Sequence, residues 1–424
     1  MTLFKTALWT GFSTFIKVIF TYALWKIIAL YTGPTGTAVL GQFQNFLQIC
    51  RSLPTGLSQG IIKYVAEYKD NEEEKSKILS SALCCYTVLS ILVTLVLIVF
   101  SKEISEKVFA SFAYQTTIII LAISILLYTF NNLLLSILNG ELEIKKYAIC
   151  TIANTILSFM LTAYLVIKHG VQGGVIGFSF NQSIALLLTV YFIAKSQWFK
   201  FSAYMQGVNK DSIIKLAQYA IVSLTPIIMV PLSLMISRQW IASELSWQEA
   251  GYWQALMRLS DGYLILMELT LSIYCIPKLS GIKLFAAFKK EIINISLLIF
   301  PLACLGLCSL FLLKKPIVNI LYSEAFFPML PLFKYQMMGD LARIAAWFVG
   351  HIMLARAMIK ILVLSEVIFN VSYVLLTLFF VHHYGLVGAS IAFTINSIVQ
   401  FLSILFFTIK YFPKQSFQLE TEYA

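Results

Sequence analysis

The sequence predicts an all-α polytopic membrane protein, with twelve transmembrane helices in two pseudo-symmetric six-helix lobes. Three observations carry that reading. The 424 residues are 59% hydrophobic and 12% charged, with a mean hydropathy of +0.83. Apolar runs of spanning length recur along the whole chain. The second half echoes the first at a nearly constant offset.

An ordinary globular domain carries about 25% charged residues. This chain cannot supply a polar shell, which argues against soluble enzymes, nucleic-acid readers and disordered scaffolds. A spanning helix takes ~20 apolar residues; twelve at ~22 each take ~264 and leave ~160 for loops and ends. No large extramembrane domain fits in that remainder.

The spans fall near 7–30, 38–62, 78–100, 115–139, 147–168, 171–195, 214–239, 250–276, 291–313, 327–355, 360–382 and 386–410. One early lysine, no A-x-A site and a full-length apolar run make the first a helix, not a cleaved signal. Gly33-Pro34-Thr35-Gly36 reads as the turn after span one, because Gly admits positive φ and Pro fixes its own. Tyr68 to Lys77 is a charged hairpin. Pro226 and Pro231 interrupt span seven, where a proline removes a backbone bond and kinks the helix; a hinge and a static kink are both open. The seven cysteines lie in apolar stretches and read as soft packing.

The net charge of +11 has a membrane reading. With the N-terminus inside, nineteen of the 31 Lys and Arg fall on cytoplasmic ends and loops, six on the other side and six within spans. Cytoplasmic loops carry the excess of Lys and Arg, so both termini are expected inside.

The internal repeat sets the lobes. Lys5-Thr6-Ala7-Leu8-Trp9 precedes Lys215-Leu216-Ala217-Gln218-Tyr219 by 210 residues, as Gly41-Gln42-Phe43-Gln44 precedes Gly251-Tyr252-Trp253-Gln254. Near the ends of the halves the offset is 215: Gly170, Gly173, Phe178 and Asn181 face Gly385, Gly388, Phe393 and Asn396. Six spans separate equivalent points, so the halves share one topology and are related by an axis along the membrane normal. The expected organisation is an N-terminal lobe over 1–195, a cytoplasmic linker over 196–213, a C-terminal lobe over 214–410 and a cytoplasmic tail over 411–424. Trp198, Phe199, Phe201 and Tyr204 beside lysines suggest an interfacial helix in the linker.

Chemistry has to come from polar residues inside the spans. The sequence holds no phosphate loop, no dinucleotide-binding glycine pattern, no nucleophile–base pair and no metal cluster among its four histidines and seven cysteines. An intramembrane charge is opposed by about 2.5–3.5 kcal/mol on insertion scales and usually faces the bundle interior or a wet cavity. Span two carries Gln44, Gln48, Arg51, Thr55 and Gln59 on one helical face. Span eight carries Gln254, Arg258, Asp261 and Glu268 at matching positions. Span one adds Ser13, Lys17, Thr21 and Lys26; span ten adds Gln336, Asp340, Arg343 and Trp347. Lys17 and Arg51 have no acidic residue in the spans of their own half, which favours a cationic cavity. Arg258 with Asp261, and Asp340 with Arg343, stand i, i+3 and are either internal ion pairs or working groups.

The chain resembles the polysaccharide flippases of the multidrug/oligosaccharidyl-lipid/polysaccharide exporter superfamily, in the branch that includes lipid III flippases of enterobacterial common antigen synthesis and O-antigen flippases. The likeness covers nearly the whole chain. Its signals are Lys5-Thr6-Ala7-Leu8-Trp9-Thr10, Gly33-Pro34-Thr35-Gly36, Lys63-Tyr64-Val65-Ala66-Glu67-Tyr68, Trp247-Gln248-Glu249-Ala250-Gly251-Tyr252-Trp253-Gln254, Ser260-Asp261 and Gly339-Asp340. Lys17, Lys26, Asp261 and Asp340 fall within the family-like pattern, and Arg343 sits where a basic residue is usual; Arg51, Arg258 and Glu268 stand outside it.

The resemblance implies transport, not catalysis: an undecaprenyl-diphosphate-linked oligosaccharide would cross from the inner to the outer leaflet of the inner membrane by alternating access. No cofactor is implied. The partners implied are that lipid-linked oligosaccharide, membrane lipids, and glycan polymerase and chain-length regulator proteins, with no nucleic acid. On this reading Lys17, Lys26, Arg51, Gln44, Gln48, Gln254 and Arg258 line a basic cavity for diphosphate and sugars, and Asp261, Glu268, Asp340 and Arg343 are coupling groups or ion pairs. A drug/cation antiporter of the same superfamily would want unpaired acidic residues in a lobe cavity. An intramembrane O-antigen polymerase or ligase would want a sizeable external loop.

The charge split makes a direct prediction of topology. Cysteines placed at Glu72 and Lys283, in a background cleared of native cysteines, should resist a membrane-impermeant thiol reagent in intact cells. Labelling of both from outside would reverse the assigned orientation.

Overall fold

The computed structural model describes residues 3–109, 111–181, 183–196, 198–199, 207–356 and 358–411. Among them there is no strand. The chain packs as two units, Met1–Met235 and Ile236–Ala424. The first holds α1 (Leu3–Thr55), α2 (Ser58–Glu67), α3 (Glu72–Val99), α4 (Ser101–Phe109), α5 (Gln115–Gly140), α6 (Ile144–Phe180), α7 (Leu186–Ala194) and the start of α8 (Lys210–Glu244). The second holds the end of α8 with α9 (Trp247–Gly281), α10 (Phe285–Leu312), α11 (Lys314–Leu321), α12 (Phe333–Ala355), α13 (Ile359–Tyr384) and α14 (Leu386–Lys410).

Ten helical segments are long and apolar enough to cross a membrane, and they fit the twelve-span layout. The segment Gly11–Glu67 holds two spans, because α1 breaks at Gly33 with φ 64° and ψ −169°. Helix α6 breaks likewise at Gly170, with φ 56° and ψ −133°. Its first part is the fifth span; its remainder and α7 together make the sixth. The apolar surface points outwards, as a chain dissolved in lipid requires. Leu297, Leu298 and Leu305 on α10 are 70%, 64% and 66% exposed.

Local chemistry sets the helix starts. Asn71 caps α3 by accepting from the Glu74 amide at 3.2 Å, and Glu72, Glu73 and Glu74 place negative charge at the positive end of the helix dipole. Ser246 caps α9 the same way, accepting from the Glu249 amide at 3.1 Å. Within the first unit, Ile61 and Val65 of α2, Ile78 and Leu79 of α3, Ile137 of α5 and Leu216 of α8 close one core. Within the second, Ala346, Val349 and Met353 of α12 pack with Ile404 of α14.

The repeat is visible in the backbone. Gly170 and Gly385, 215 residues apart, share a left-handed bend, with φ 56° and ψ −133° against φ 59° and ψ −147°. The glycines three residues later are held in matching contacts. A Cβ on Gly173 would stand 1.9 Å from the Leu165 carbonyl oxygen; one on Gly388 would stand 2.0 Å from that of Phe380. Leu165 and Phe380 are also 215 residues apart.

The expected linker is only partly described. Trp198 and Phe199 pack beside Leu138, Cys150 and Ile193, and the Trp198 indole donates to Glu143 Oε1 at 2.9 Å. Both lie outside any helix. Residues 200–206, with Phe201 and Tyr204, and the tail beyond 411 lie outside the described residues.

The matched glycine contacts are testable. Gly173→Ala and Gly388→Ala should each destabilise the purified protein by ~1–3 kcal/mol, the usual range for overpacking. Gly306→Ala, whose Cβ meets nothing within 4 Å, should be neutral or stabilise by up to ~1 kcal/mol. Thermal unfolding in detergent measures all three; equal shifts would contradict the packing.

Candidate functional site

The polar stripe of span two meets a real cavity. Gln44, Gln48, Arg51 and Thr55 line a space of about 330 Å³ with Leu47, Ser52, Tyr128, Phe178, Asn181 and Ile227. Among the described residues, none of those lining it is acidic. Gln59, last of the stripe, is exposed, because α1 ends at Thr55 and the backbone turns through Gly56 and Leu57 before α2.

Arg51 is the centre of this cavity. Its side chain is 9% exposed and its guanidinium donates to the carbonyl oxygens of Phe178 at 3.1 Å and Ser179 at 2.8 Å. Those carbonyls are available because the sixth span is discontinuous: α6 stops at Phe180 and α7 begins at Leu186. The last carbonyls of a helix have no partner within it and carry the negative end of its dipole, so a cation fits there. The guanidinium also lies 4.1 Å from the Tyr128 ring centroid, within cation–π range. Two faces of Arg51 are thus fixed by backbone and ring, beside open space.

Lys17 and Lys26 do not join this cavity. Lys17 is exposed on α1, and Lys26 is half-buried. The cationic cavity of the first unit is therefore built from Arg51 and neutral polar groups.

The second unit arranges its polar groups differently. Asp340 is fully buried and its carboxylate accepts from Ser260 Oγ at 2.9 Å, from the Tyr263 hydroxyl and from Gln336 Nε2 at 3.4 Å. The alternative pairing of Asp340 with Arg343 is not what forms. Arg343 instead lies between aromatic faces, 5.7 Å from the Trp347 centroid and 5.1 Å from that of Phe393. Ser260 and Tyr263 come from α9 and reach Asp340 first. Arg258 and Asp261 do pair, at 3.9 Å, with the carboxylate 43% exposed. Gln254 is buried and accepts from Arg238 Nε at 3.1 Å. Glu268 is exposed.

Arg238 is one of the six cations counted on the outer side, at the end of the expected span seven. It is 1% exposed, 5.5 Å from the Trp253 ring centroid and bonded to Gln254. The signal was present: the apolar run continues through Trp240, Ile241 and Ala242, and α8 ends only at Glu244. The break in span six was missed too, although Asn181-Gln182-Ser183 marks its place.

A second cavity, about 530 Å³, lies where the loops after α2 and α5 meet the end of α7. Its charges are largely satisfied among themselves. Lys75 and Glu141 form a buried pair at 3.0 Å, and Glu143 pairs with Lys146. It reads as a structural tie at the helix ends. Among the described residues no three His, Cys, Asp or Glu side chains could hold a metal ion.

Comparison with known proteins agrees with the resemblance read from the sequence. No protein-family model matches the chain. It is 25% identical to the lipid III flippase of Escherichia coli (strain K12) over 408 residues, which cover 95% of this chain and 97% of that protein. Among solved structures it is similar to a multidrug resistance MATE family transporter of the MOP superfamily in its inward-facing conformation. The TM-score is 0.81 at 12% identity, over 92% of this chain and 93% of that one. It is also similar to the lipid II flippase MurJ in its inward closed conformation, with a TM-score of 0.73 at 18% identity over 96% and 88% of the two chains. The chain has the fold of these transporters and is a multi-pass membrane protein.

The partners of Asp340 give a stability prediction. Asp340→Asn and Ser260→Ala should be non-additive by ~0.5 kcal/mol or more, as groups in direct contact are. Asp340→Asn and Arg343→Gln, neighbours on one helix with no bond between them, should couple more weakly than that pair. Double-mutant cycles on thermal unfolding decide this, and strong coupling in the second cycle would restore the ion pair.

Proposed function

We propose that this protein is a flippase for an undecaprenyl-diphosphate-linked oligosaccharide, carrying it by alternating access from the cytoplasmic to the outer leaflet of a bacterial inner membrane. Lipid III and an O-antigen unit are the cargoes of choice. The observation that carries this reading is Arg51: a buried guanidinium facing a cavity whose lining, among the described residues, contains no acid. A diphosphate entering the membrane loses water, and a charge-assisted bond to a guanidinium replaces part of it. Gln44, Gln48 and Asn181 add neutral donors and acceptors suited to sugar hydroxyls, and the Tyr128 ring offers an apolar face.

The driving force need not come from a nucleotide. An anion moving outwards from a negative interior gains about 2.3 kcal/mol per charge per 100 mV. Asp340 is the group placed to couple a proton to that movement. It is buried, held by three neutral side chains, and among the described residues no cation lies within ion-pair distance of it. Such a carboxyl can gain and lose a proton without breaking a salt bridge.

A drug or cation antiporter of the same fold is the second reading, and Asp340 is the observation in its favour. The cavity of the first unit speaks against it, because Arg51 would repel a cationic cargo.

The test is complementation of flippase-null strains, one for each glycan pathway. The wild-type chain should restore surface glycan in at least one. Arg51→Gln removes the charge and keeps a side-chain amide donor at the broken helix end; it should lower glycan display per inserted molecule tenfold or more, since one charge-assisted contact is worth ~1.5–3 kcal/mol. Arg51→Lys should restore little, because a point charge cannot span two carbonyls and an anion as the planar fork does. Normal display by Arg51→Gln, or drug resistance without glycan in every strain, would reject the proposal.

A further inference from the structure

We infer that the ends of α2 and α8 which the charge pattern assigns to the cytoplasm form a binding site for the headgroup of an anionic phospholipid. The site is separate from the Arg51 cavity and shares no residue with it. Lys63, Tyr64 and Tyr68 come from α2 and its C-cap; Lys215 and Tyr219 come from the second and third turns of α8.

The geometry is of two ammonium groups gathered on three tyrosines. Lys63 Nζ lies 4.5 Å from the Tyr64 ring centroid and 5.2 Å from that of Tyr219. Lys215 Nζ lies 5.9 Å from the same Tyr64 ring and 5.4 Å from the Tyr68 ring, and donates to the Tyr68 hydroxyl at 3.0 Å. Tyr64 stacks on Tyr68 at 5.9 Å and meets Tyr219 edge-on at 5.8 Å. Both lysines therefore share one ring, which sets their like charges near enough to repel each other.

Each ammonium is held by a tyrosine hydroxyl, Lys63 by that of Tyr219 and Lys215 by that of Tyr68. Glu67 is 3.4 Å from Lys63, but both side chains are nearly half exposed. An exposed pair of this kind contributes little and exchanges readily. An anion arriving between the two lysines would relieve the repulsion.

The setting points to a lipid rather than a soluble anion. Beneath the lysines lie Ile61, Val65 and Leu216, all fully buried. Lys63 itself faces outwards. Tyrosines sit at headgroup level, with the ring towards hydrocarbon and the hydroxyl towards water. Clustered lysines at that level attract anionic lipids of the cytoplasmic leaflet. A phosphodiester there meets two ammonium groups and a hydroxyl while its acyl chains remain in the bilayer.

The full chain in nanodiscs of phosphatidylcholine with a minor fraction of phosphatidylglycerol tests this, with retained lipids counted by native mass spectrometry. The wild type should retain phosphatidylglycerol preferentially. K63Q with K215Q should weaken that retention roughly thirtyfold, taking both lysines at the usual value for a surface cation. K63R with K215R should keep it. The lysine pair at the other face, changed as K314Q with K315Q, should alter it less than twofold. Tyr68→Phe keeps the ring and loses the hydroxyl, and should weaken retention severalfold; it serves if the double variant is unstable. Equal retention of the two lipids by the wild type, or a preference that survives K63Q with K215Q, overturns the inference. So does displacement by millimolar inorganic phosphate, which would make this a simple anion site. Displacement by undecaprenyl diphosphate at equimolar amounts would hand the surface to the lipid carrier and also overturn it.

Discussion

The first unit depends on one interaction, the seating of the Arg51 guanidinium on the broken end of α6. A charged side chain within a span is opposed by about 2.5–3.5 kcal/mol. A helix that stops inside the membrane leaves carbonyls that cost several kcal/mol each when unsatisfied. Neither feature is stable alone in hydrocarbon. Together they offset each other: two charge-assisted bonds at ~1.5–3 kcal/mol each compensate the insertion of the cation, one satisfying the Ser179 carbonyl and one joining the Asn181 amide on that of Phe178. The register of span two follows from this contact. With Arg51 fixed, Gln44, Gln48 and Thr55 are carried to the same side by helical spacing, and the cavity is the space they share with Tyr128 and Asn181.

The two halves repeat their architecture and not their chemistry. Gly170 and Gly385 bend the chain in the same way, and Gly173 and Gly388 press against carbonyls of equivalent residues. Close backbone approach tolerates no side chain, so these positions keep the older symmetry. The polar groups face no such constraint. Arg51 stands opposite Asp261 in the repeat, and Asp340 stands opposite Ile125, which is fully buried among apolar neighbours. A cation in one unit and a neutrally solvated carboxyl in the other can carry separate tasks, one towards an anion and one towards a proton.

Fold class was legible because the membrane imposes it. Twelve apolar runs leave few alternatives, and the helix ends lie within a few residues of the hydrophobic boundaries for α5, α13 and α14. The polar stripe of span two was legible because helical spacing turns four polar residues in an apolar run into one face. The partners of those residues were not. Nothing local ties Asp340 to Ser260 and Tyr263, which lie about eighty residues earlier on α9. An i, i+3 spacing makes Asp340 and Arg343 plausible partners, yet hydroxyls already aimed at the carboxylate win, and the guanidinium settles on Trp347 and Phe393. The burial of Arg238 was not legible either, because a cation near the end of an apolar run looks like a loop residue. Only the burial of its side chain against Gln254 and Trp253 shows otherwise.

The break in the sixth span shows how little sequence separates a site from a support. Asn181-Gln182-Ser183 has as its counterpart Asn396-Ser397-Ile398, polar at two positions where the first is polar at three. Span twelve runs unbroken as α14 from Leu386 to Lys410, and its Asn396 is spent on Ser372 of α13. Span six stops, and its Asn181 lines the cavity. In both units an arginine comes to the same repeat position, Arg51 to the carbonyls of Phe178 and Ser179 and Arg343 to the ring of Phe393. Where the helix is continuous its carbonyls are already bonded, so the arginine can meet only the side chain. Where the helix ends, the arginine takes the backbone itself, and its remaining donors are held in place beside open space. An arginine anchored that way is preorganised for an anion, because the entropy of fixing its long side chain is lost in folding and not in binding.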